Sequence, residues 1–329
     1  MENSANSSLP SGATSDLGHG VHAIDTLMAG YSGITASYLV LAERPALIET
    51  GTAKSAPVVQ AALAAHGIGP ADLATVVVTH VHLDHAGGVG DIARMYPNAE
   101  IVVHELGARH LVEPQRLVAS ARRVYGSAMD DVFGELLPTG KDRVRAVGEA
   151  ATLDLGGGRT MQLRYSPGHA KHHIALLDDE SGDLYVGDAA GIYVPEADVL
   201  RPATPPPDFD LEVALASIEM FRALRPKRLL FSHFGPADHV DELLDRCVEE
   251  LRLWVELVRG ARRDELDLDH AVDAVRRQTA ARYAAVRDDP ELDEKFERLN
   301  SFAANIAGIN RWLDRVEGAA RVPMGDAAG

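Results

Sequence analysis

Residues 79–88 read Thr79-His80-Val81-His82-Leu83-Asp84-His85-Ala86-Gly87-Gly88. The segment leaves a short β-branched run, Ala74 to Thr79, which is expected as a buried strand, and enters a helix expected over Val89 to Met95. Residues two apart in extended chain share a face, which puts His80 and His82 on one side. The turn that follows lets Asp84 and His85 address a second point nearby. Gly87 and Gly88 allow that turn and a close approach of the new helix. Three imidazoles and a carboxylate in so short a span are donors that suit zinc and, less selectively, iron or manganese. Two such ions, about 3.5 to 4 Å apart, need a bridging carboxylate and further histidines, which directs the search to the rest of the chain.

Three more candidates stand at predicted strand ends. His169 closes Ser166-Pro167-Gly168-His169 after a strand over Thr160 to Tyr165. Asp188 follows Leu184 to Val186 in the pair Gly187-Asp188, and His233 lies in Ser232-His233-Phe234-Gly235 after Leu229 to Phe231. Strand ends are rigid and adjacent in space, as a site at one edge of a layered scaffold requires. Further strands are expected at Glu100 to His104, Thr152 to Leu155 and Ile174 to Asp178, and a hairpin over Ser37 to Glu49. Helices are expected over Ala53 to His66, irregularly within 105–138, and at Leu211 to Leu224. From Ala237 onward strands vanish, and three amphipathic helices are read at 237–261, 267–287 and 291–317.

The ordered set His80-x-His82-x-Asp84-His85, Gly168-His169, Gly187-Asp188 and His233 resembles the metallo-β-lactamase superfamily, over residues of about 17 to 236. That resemblance implies an α/β fold, an αββα sandwich, with the C-terminal helices as an appendage. It implies that His80, His82 and His169 hold one divalent metal, that Asp84, His85 and His233 hold the other, and that Asp188 bridges; zinc is expected, with iron or manganese as alternatives. The corresponding division is a disordered tail at 1–16, a catalytic domain at 17–236, a helical appendage at 237–318 and a flexible tail at 319–329. Many family members carry Asp-Thr-Gly where this chain has Glu49-Thr50-Gly51, so Glu49 is expected to support the metal loop on a longer arm.

The implied reaction is attack by a metal-bridging hydroxide on a carboxylic thioester, ester or lactone, with Asp84 orienting the nucleophile and relaying its proton. The bridging Asp188 separates the chain from the true β-lactamases. Glyoxalase II enzymes share the motif and a helical appendage, but Ala189 to Glu196 lacks their basic glutathione-binding segment. Homoserine-lactone hydrolases often place a Tyr three residues after the bridging Asp; here that position is Gly191, and Tyr193 is the candidate substrate contact. Di-iron oxygen or nitric-oxide reductases usually have Glu in place of the second histidine, which here is His82.

A nuclease or phosphodiesterase of the same superfamily would share all seven ligands. Against it stands a net charge of −17, from 32 Lys and Arg against 49 Asp and Glu, and the lack of a dense basic run. The expected partner is therefore a small acyl substrate, with no nucleic acid and no membrane; a homo-oligomer is compatible with the reading. The single cysteine, Cys247, excludes an internal disulfide, and a cytoplasmic setting is expected. The insertion places Tyr125, Met129 and Phe133 at helical spacing, expected as core.

Overall fold

Residues 14–126 and 128–320 are described by a computed structural model. The chain forms two compact units: Met1–Tyr165, His172–Gly187 and Leu224–Val240 make the first, and Ser166–Lys171, Asp188–Ala223 and Asp241–Gly329 the second.

The first unit holds two sheets. The seven-stranded sheet runs in chain order: β1 (Thr14–Asp16), β2 (Val21–Asp25), β3 (Ala36–Val40), β4 (Ala46–Ile48), β5 (Thr75–Val77), β6 (Glu100–His104) and β7 (Val144–Val147). Pairing is antiparallel to β4 and parallel from β4 to β7, because each later connection carries helices and a crossover returns a strand in the same sense. These helices are α1 (Ala56–Ala65), then α2 (Leu83–Ala86) and α3 (Val89–Met95), then α4 (Glu105–Val112), α5 (Gln115–Tyr125) and α6 (Ala128–Val132).

The six-stranded sheet contains β8 (Ala150–Asp154), β9 (Thr160–Tyr165), β10 (Ile174–Asp178) and β11 (Asp183–Gly187). After β12 (Ile192–Val194) and β13 (Val199–Arg201), a hairpin of the second unit, it is completed by β14 (Arg228–Phe231) and β15 (Gly235–Ala237), in the order β15-β14-β11-β10-β9-β8. Strand alternation divides the core in two. Tyr38, Val40, Ile48 and Val77 of the first sheet meet Leu163, Leu176, Tyr185 and Leu230 of the second. Leu39, Leu47, Val76 and Ile101 face the other way, against Val59 and Leu63 of α1 and Ile92 of α3. Strands buried on both faces read as unbroken apolar runs, which is why this part of the sheet is legible in the sequence. The Tyr38 hydroxyl donates to the carbonyl of Phe231 and so joins the two sheets.

The second unit is mainly helical: α7 (Leu211–Leu224), α8 (Val240–Arg263), α9 (Leu268–Thr279), α10 (Ala284–Arg287), α11 (Pro290–Leu299) and α12 (Phe302–Ala320). The apolar stripe that the sequence places on α8, Leu243, Leu244, Val248, Leu251, Trp254, Val255 and Val258, is its buried face, all buried except Val248, which is half-buried. Around it Trp254 Nε1 donates to the Tyr283 hydroxyl at 2.8 Å. The guanidinium of the buried Arg201 lies over the rings of Phe302, Phe296 and Tyr283 at 4.5, 4.8 and 5.2 Å, a cation offered quadrupole faces in place of a carboxylate. No helix among the described residues is long and apolar enough to cross a membrane.

Several expectations are corrected. Residues 14–16, read as tail because they are polar, pair with β2; residues 1–13 and 321–329 lie outside the described residues. Residues 319 and 320, read as tail, end α12. The three C-terminal helices after α7 are five, interrupted around 280–283 and at 300–301. Met129 and Phe133 are core, but Tyr125 is 47% exposed, because α5 ends there and the chain turns at Gly126 before α6 restarts the helical phase.

A buried ion pair closes one end of the sandwich. Both nitrogens of the Arg159 fork, Nε and Nη2, donate to Asp178, which is fully buried, and Nη1 donates to the carbonyl of His19 at 2.7 Å. Removing one member leaves the other charge without compensation, a cost of about 3–5 kcal/mol. Arg159→Met is expected to lower the unfolding free energy by that amount in urea titrations, with an unchanged m-value.

Candidate metal centre

The 79–88 segment is held by residues far from it in sequence. Glu49 follows β4, is fully buried, and has φ of 64°, a left-handed conformation that disfavours any residue with a Cβ. Its carboxylate accepts from the Thr79 amide at 3.2 Å, the Thr79 hydroxyl at 2.5 Å, the Ser232 hydroxyl at 3.2 Å and Nδ1 of His85 at 3.2 Å. Thr50 adds two bonds to the carbonyl of His85, from its amide at 2.8 Å and its hydroxyl at 2.9 Å. Gly87 is required where α2 meets this loop: a Cβ there would stand 2.2 Å from the Leu83 carbonyl oxygen and 3.0 Å from the Ala53 nitrogen.

These bonds set the imidazole tautomers. His85 donates Nδ1–H to Glu49, so Nε2 is the nitrogen that carries its electron pair. His233 Nδ1 lies 2.8 Å from the Ile34 carbonyl and must donate to it, so its Nε2 is likewise a donor of electrons. The Thr79 hydroxyl gives its proton to Glu49, so its oxygen is left to accept from His80 Nδ1 at 2.9 Å, and Nε2 of His80 carries the pair.

The donor atoms converge. His85 Nε2 and His233 Nε2 are 3.1 Å apart, and Asp84 Oδ2 lies 3.6 Å from the first and 3.4 Å from the second. Atoms bound at ~2.0–2.1 Å to one tetrahedral ion stand about 3.3–3.4 Å apart, so the triangle fits a single divalent ion. His80 Nε2 and His82 Nδ1 are 2.9 Å apart, and the His80 and His85 rings lie 4.0 Å apart by centroid. His80 and His82 stand beyond the end of β5 in irregular chain, so their shared side comes from an extended loop rather than from the strand itself. Glu49, His80 and His85 also present donor atoms within 4.8 Å of one another, although the Glu49 carboxylate is already occupied by the bonds above.

In the second unit His169 and Asp188 face each other, Nε2 to Oδ2 at 3.5 Å. His169 Nδ1 lies 3.0 Å from the Ala203 carbonyl, the same device as at His233. Gly168, with φ of 129°, could not be replaced without a clash: its Cβ would stand 2.4 Å from Cα of Ala214. Tyr193 donates its hydroxyl to Asp198 at 3.2 Å.

Of two further supporting contacts, the sequence reads His172 as a packing or supporting group rather than a ligand and does not reach the other. His172 Nδ1 accepts from the amide of Val81 at 3.3 Å, between His80 and His82; its only signal was proximity to His169. The Ile34 carbonyl that orients His233 carries no side-chain signal at all. His104 is no ligand: it is buried, stacks on Tyr165 at 4.3 Å and accepts from the Leu106 amide as the cap of α4. Burial holds its imidazole below the ordinary value, against the nearby Glu105 and Glu149.

The family model of the metallo-beta-lactamase superfamily matches residues 30–233, a span that includes all seven candidate ligands. A metallo-beta-lactamase fold-containing protein of Sulfurisphaera tokodaii is 31% identical over 191 residues, 55% of this chain and 70% of the relative. A hydroxyacylglutathione hydrolase of Synechococcus sp. is 31% identical over 123 residues, but these are only 36% of this chain and 35% of that protein. Among solved structures, an archaeal metallo-beta-lactamase superfamily protein from Sulfolobus tokodaii superposes with a TM-score of 0.61 at 28% identity, over 70% of this chain and 86% of that one. The expected α/β fold with C-terminal helices is the one found, and the chain belongs to the metallo-beta-lactamase superfamily of metal-dependent hydrolases.

Proposed function

We propose that the chain is a binuclear metal-dependent hydrolase of a carboxylic thioester, ester or lactone. The observation that carries this reading is the triangle of Asp84, His85 and His233, whose edges match one divalent ion. Asp84, His85 and His233 would hold one ion, His80, His82 and His169 the other, and Asp188 would bridge; zinc is the expected metal, with iron or manganese as alternatives. When bound, the ions supply Lewis acidity and bring the pKa of a coordinated water towards ~7. The remaining work falls to the chain. Asp84 is the ligand whose carboxylate keeps 18% of its surface in solvent, so it is placed to orient the attacking water, take its proton and pass it to the leaving group. Glu49 and the backbone carbonyls hold the imidazoles aimed.

Acyl over phosphodiester chemistry is supported by the charge of −17, which opposes polyanions at long range. It is supported too by the similarity to a protein named for hydroxyacylglutathione hydrolysis.

Three outcomes are expected. Metal analysis of gently purified protein should approach two equivalents, and Asp188→Ala should lose metal and activity together, whereas Tyr193→Phe keeps its metal and most of its rate. A value near zero after reconstitution with zinc, iron and manganese overturns the assignment. Glu49→Ala strips a partner from both His85 and Thr79, so chelator competition should show affinity reduced about 10–100-fold, with Glu49→Asp between the two. In matched substrate panels thioesters, esters or lactones should be cleaved faster than bis-p-nitrophenyl phosphate or RNA; the reverse order selects the nuclease reading.

A further inference from the structure

Within the second unit a cavity abuts the two candidate ligands found there. His169 and Asp188 line it, together with Leu200, Phe209 and Leu251. Its volume is about 10 Å³, the space of roughly one water and so of one methyl group. No lysine or arginine lines it. Apart from Asp188, the one acidic side chain on its wall is Glu250, which is 4% exposed. Glu250 is fixed in place: Arg282 Nε and the Tyr283 hydroxyl each donate to one of its oxygens. Cys247, also on the wall, gives its thiol proton to the Ala190 carbonyl at 2.8 Å, and burial pushes that thiol well above its ordinary value, so it offers no nucleophile.

Resting on the hydrolase reading above, we propose that this cavity is the acyl subsite and restricts the substrate to short, uncharged acyl groups of the acetyl size class. Both limits follow from the walls. Leu251 and Phe209 are themselves buried, at 6% and 1% exposure, so each added methylene has to displace a packed side chain rather than water. A carboxylate at the far end of an acyl group would be buried against Leu200, Phe209 and Leu251, with no lysine or arginine on the wall to pair with it.

The test uses full-length, metal-loaded protein and thioesters of one common thiol. Acetyl is expected to exceed hexanoyl in kcat/KM by about tenfold or more, the scale on which pockets discriminate methylenes. Succinyl should fall below butyryl, which has the same chain length, by a similar factor of about ten. Leu251→Ala should raise the hexanoyl-to-acetyl ratio about tenfold by opening the wall, and Phe209→Leu serves if that variant fails to fold. A second readout needs no turnover: ligand-observed NMR of acetamide, butyramide and hexanamide should show only acetamide bound to the parent protein and hexanamide gained in Leu251→Ala. A flat chain-length profile, or one that neither variant moves at native metal content, overturns the proposal. Should every acyl substrate be inert while bis-p-nitrophenyl phosphate is cleaved, the acyl-hydrolase reading fails, and the amide series alone then decides the cavity.

Discussion

One carboxylate organises the histidine loop. Glu49 accepts from Thr79, His85 and Ser232, which stand after β5, within α2 and after β14, so a single buried anion ties the first sheet, the new helix and the second sheet together. It also reaches His80 through the Thr79 hydroxyl. Two imidazoles are therefore aimed by the same group, one directly and one by relay. The positive φ at Glu49 costs roughly 1–2 kcal/mol for a residue with a Cβ, and four hydrogen bonds to an anion in a dry site more than offset that. Asp at this position has a shorter reach. The longer arm explains how a left-handed backbone and four converging donors coexist.

A second regularity concerns how the histidines are aimed. His233 and His169 each turn Nδ1 to a backbone carbonyl, of Ile34 and Ala203, whereas His85 and His80 use side-chain acceptors, Glu49 and the Thr79 hydroxyl. A main-chain acceptor is insensitive to substitution at its own residue so long as the local backbone path is kept. The carbonyls at 34 and 203 thus impose one tautomer through the backbone path and not through the chemistry of their own side chains.

This difference also explains what the sequence could and could not tell. The candidate ligands were legible because each is a His or Asp within a few residues of the end of a predicted strand, and the paired glycines after His85 marked the turn. Strands β5, β6 and β10 were legible because they are apolar and buried on both faces. By contrast β7, Val144-Arg145-Ala146-Val147, is an edge strand with only Val147 buried, and its alternation is too weak to register. The break at 280–283 falls in Ala280-Ala281-Arg282-Tyr283, which contains no glycine or proline. It coincides with Tyr283 being held by Glu250 and Trp254, and such tertiary contacts have no local signature. The cavity beside Asp188 was illegible for the same reason: its walls come from positions as far apart as 169 and 251.

The last donor of the triangle, His233, stands 148 residues after His85, and Ser232, which completes the shell of Glu49, is its neighbour. During synthesis the ribosome therefore releases His80, His82, Asp84 and His85 long before the strand that closes their site. Closing so long a loop is an entropic cost met only when β14 pairs with β11, in parallel and late. The nascent chain thus carries an incomplete histidine cluster, unable to form the triangle, until the second sheet is assembled. The assembled triangle is a property of the finished sandwich and a report that its two sheets have come together.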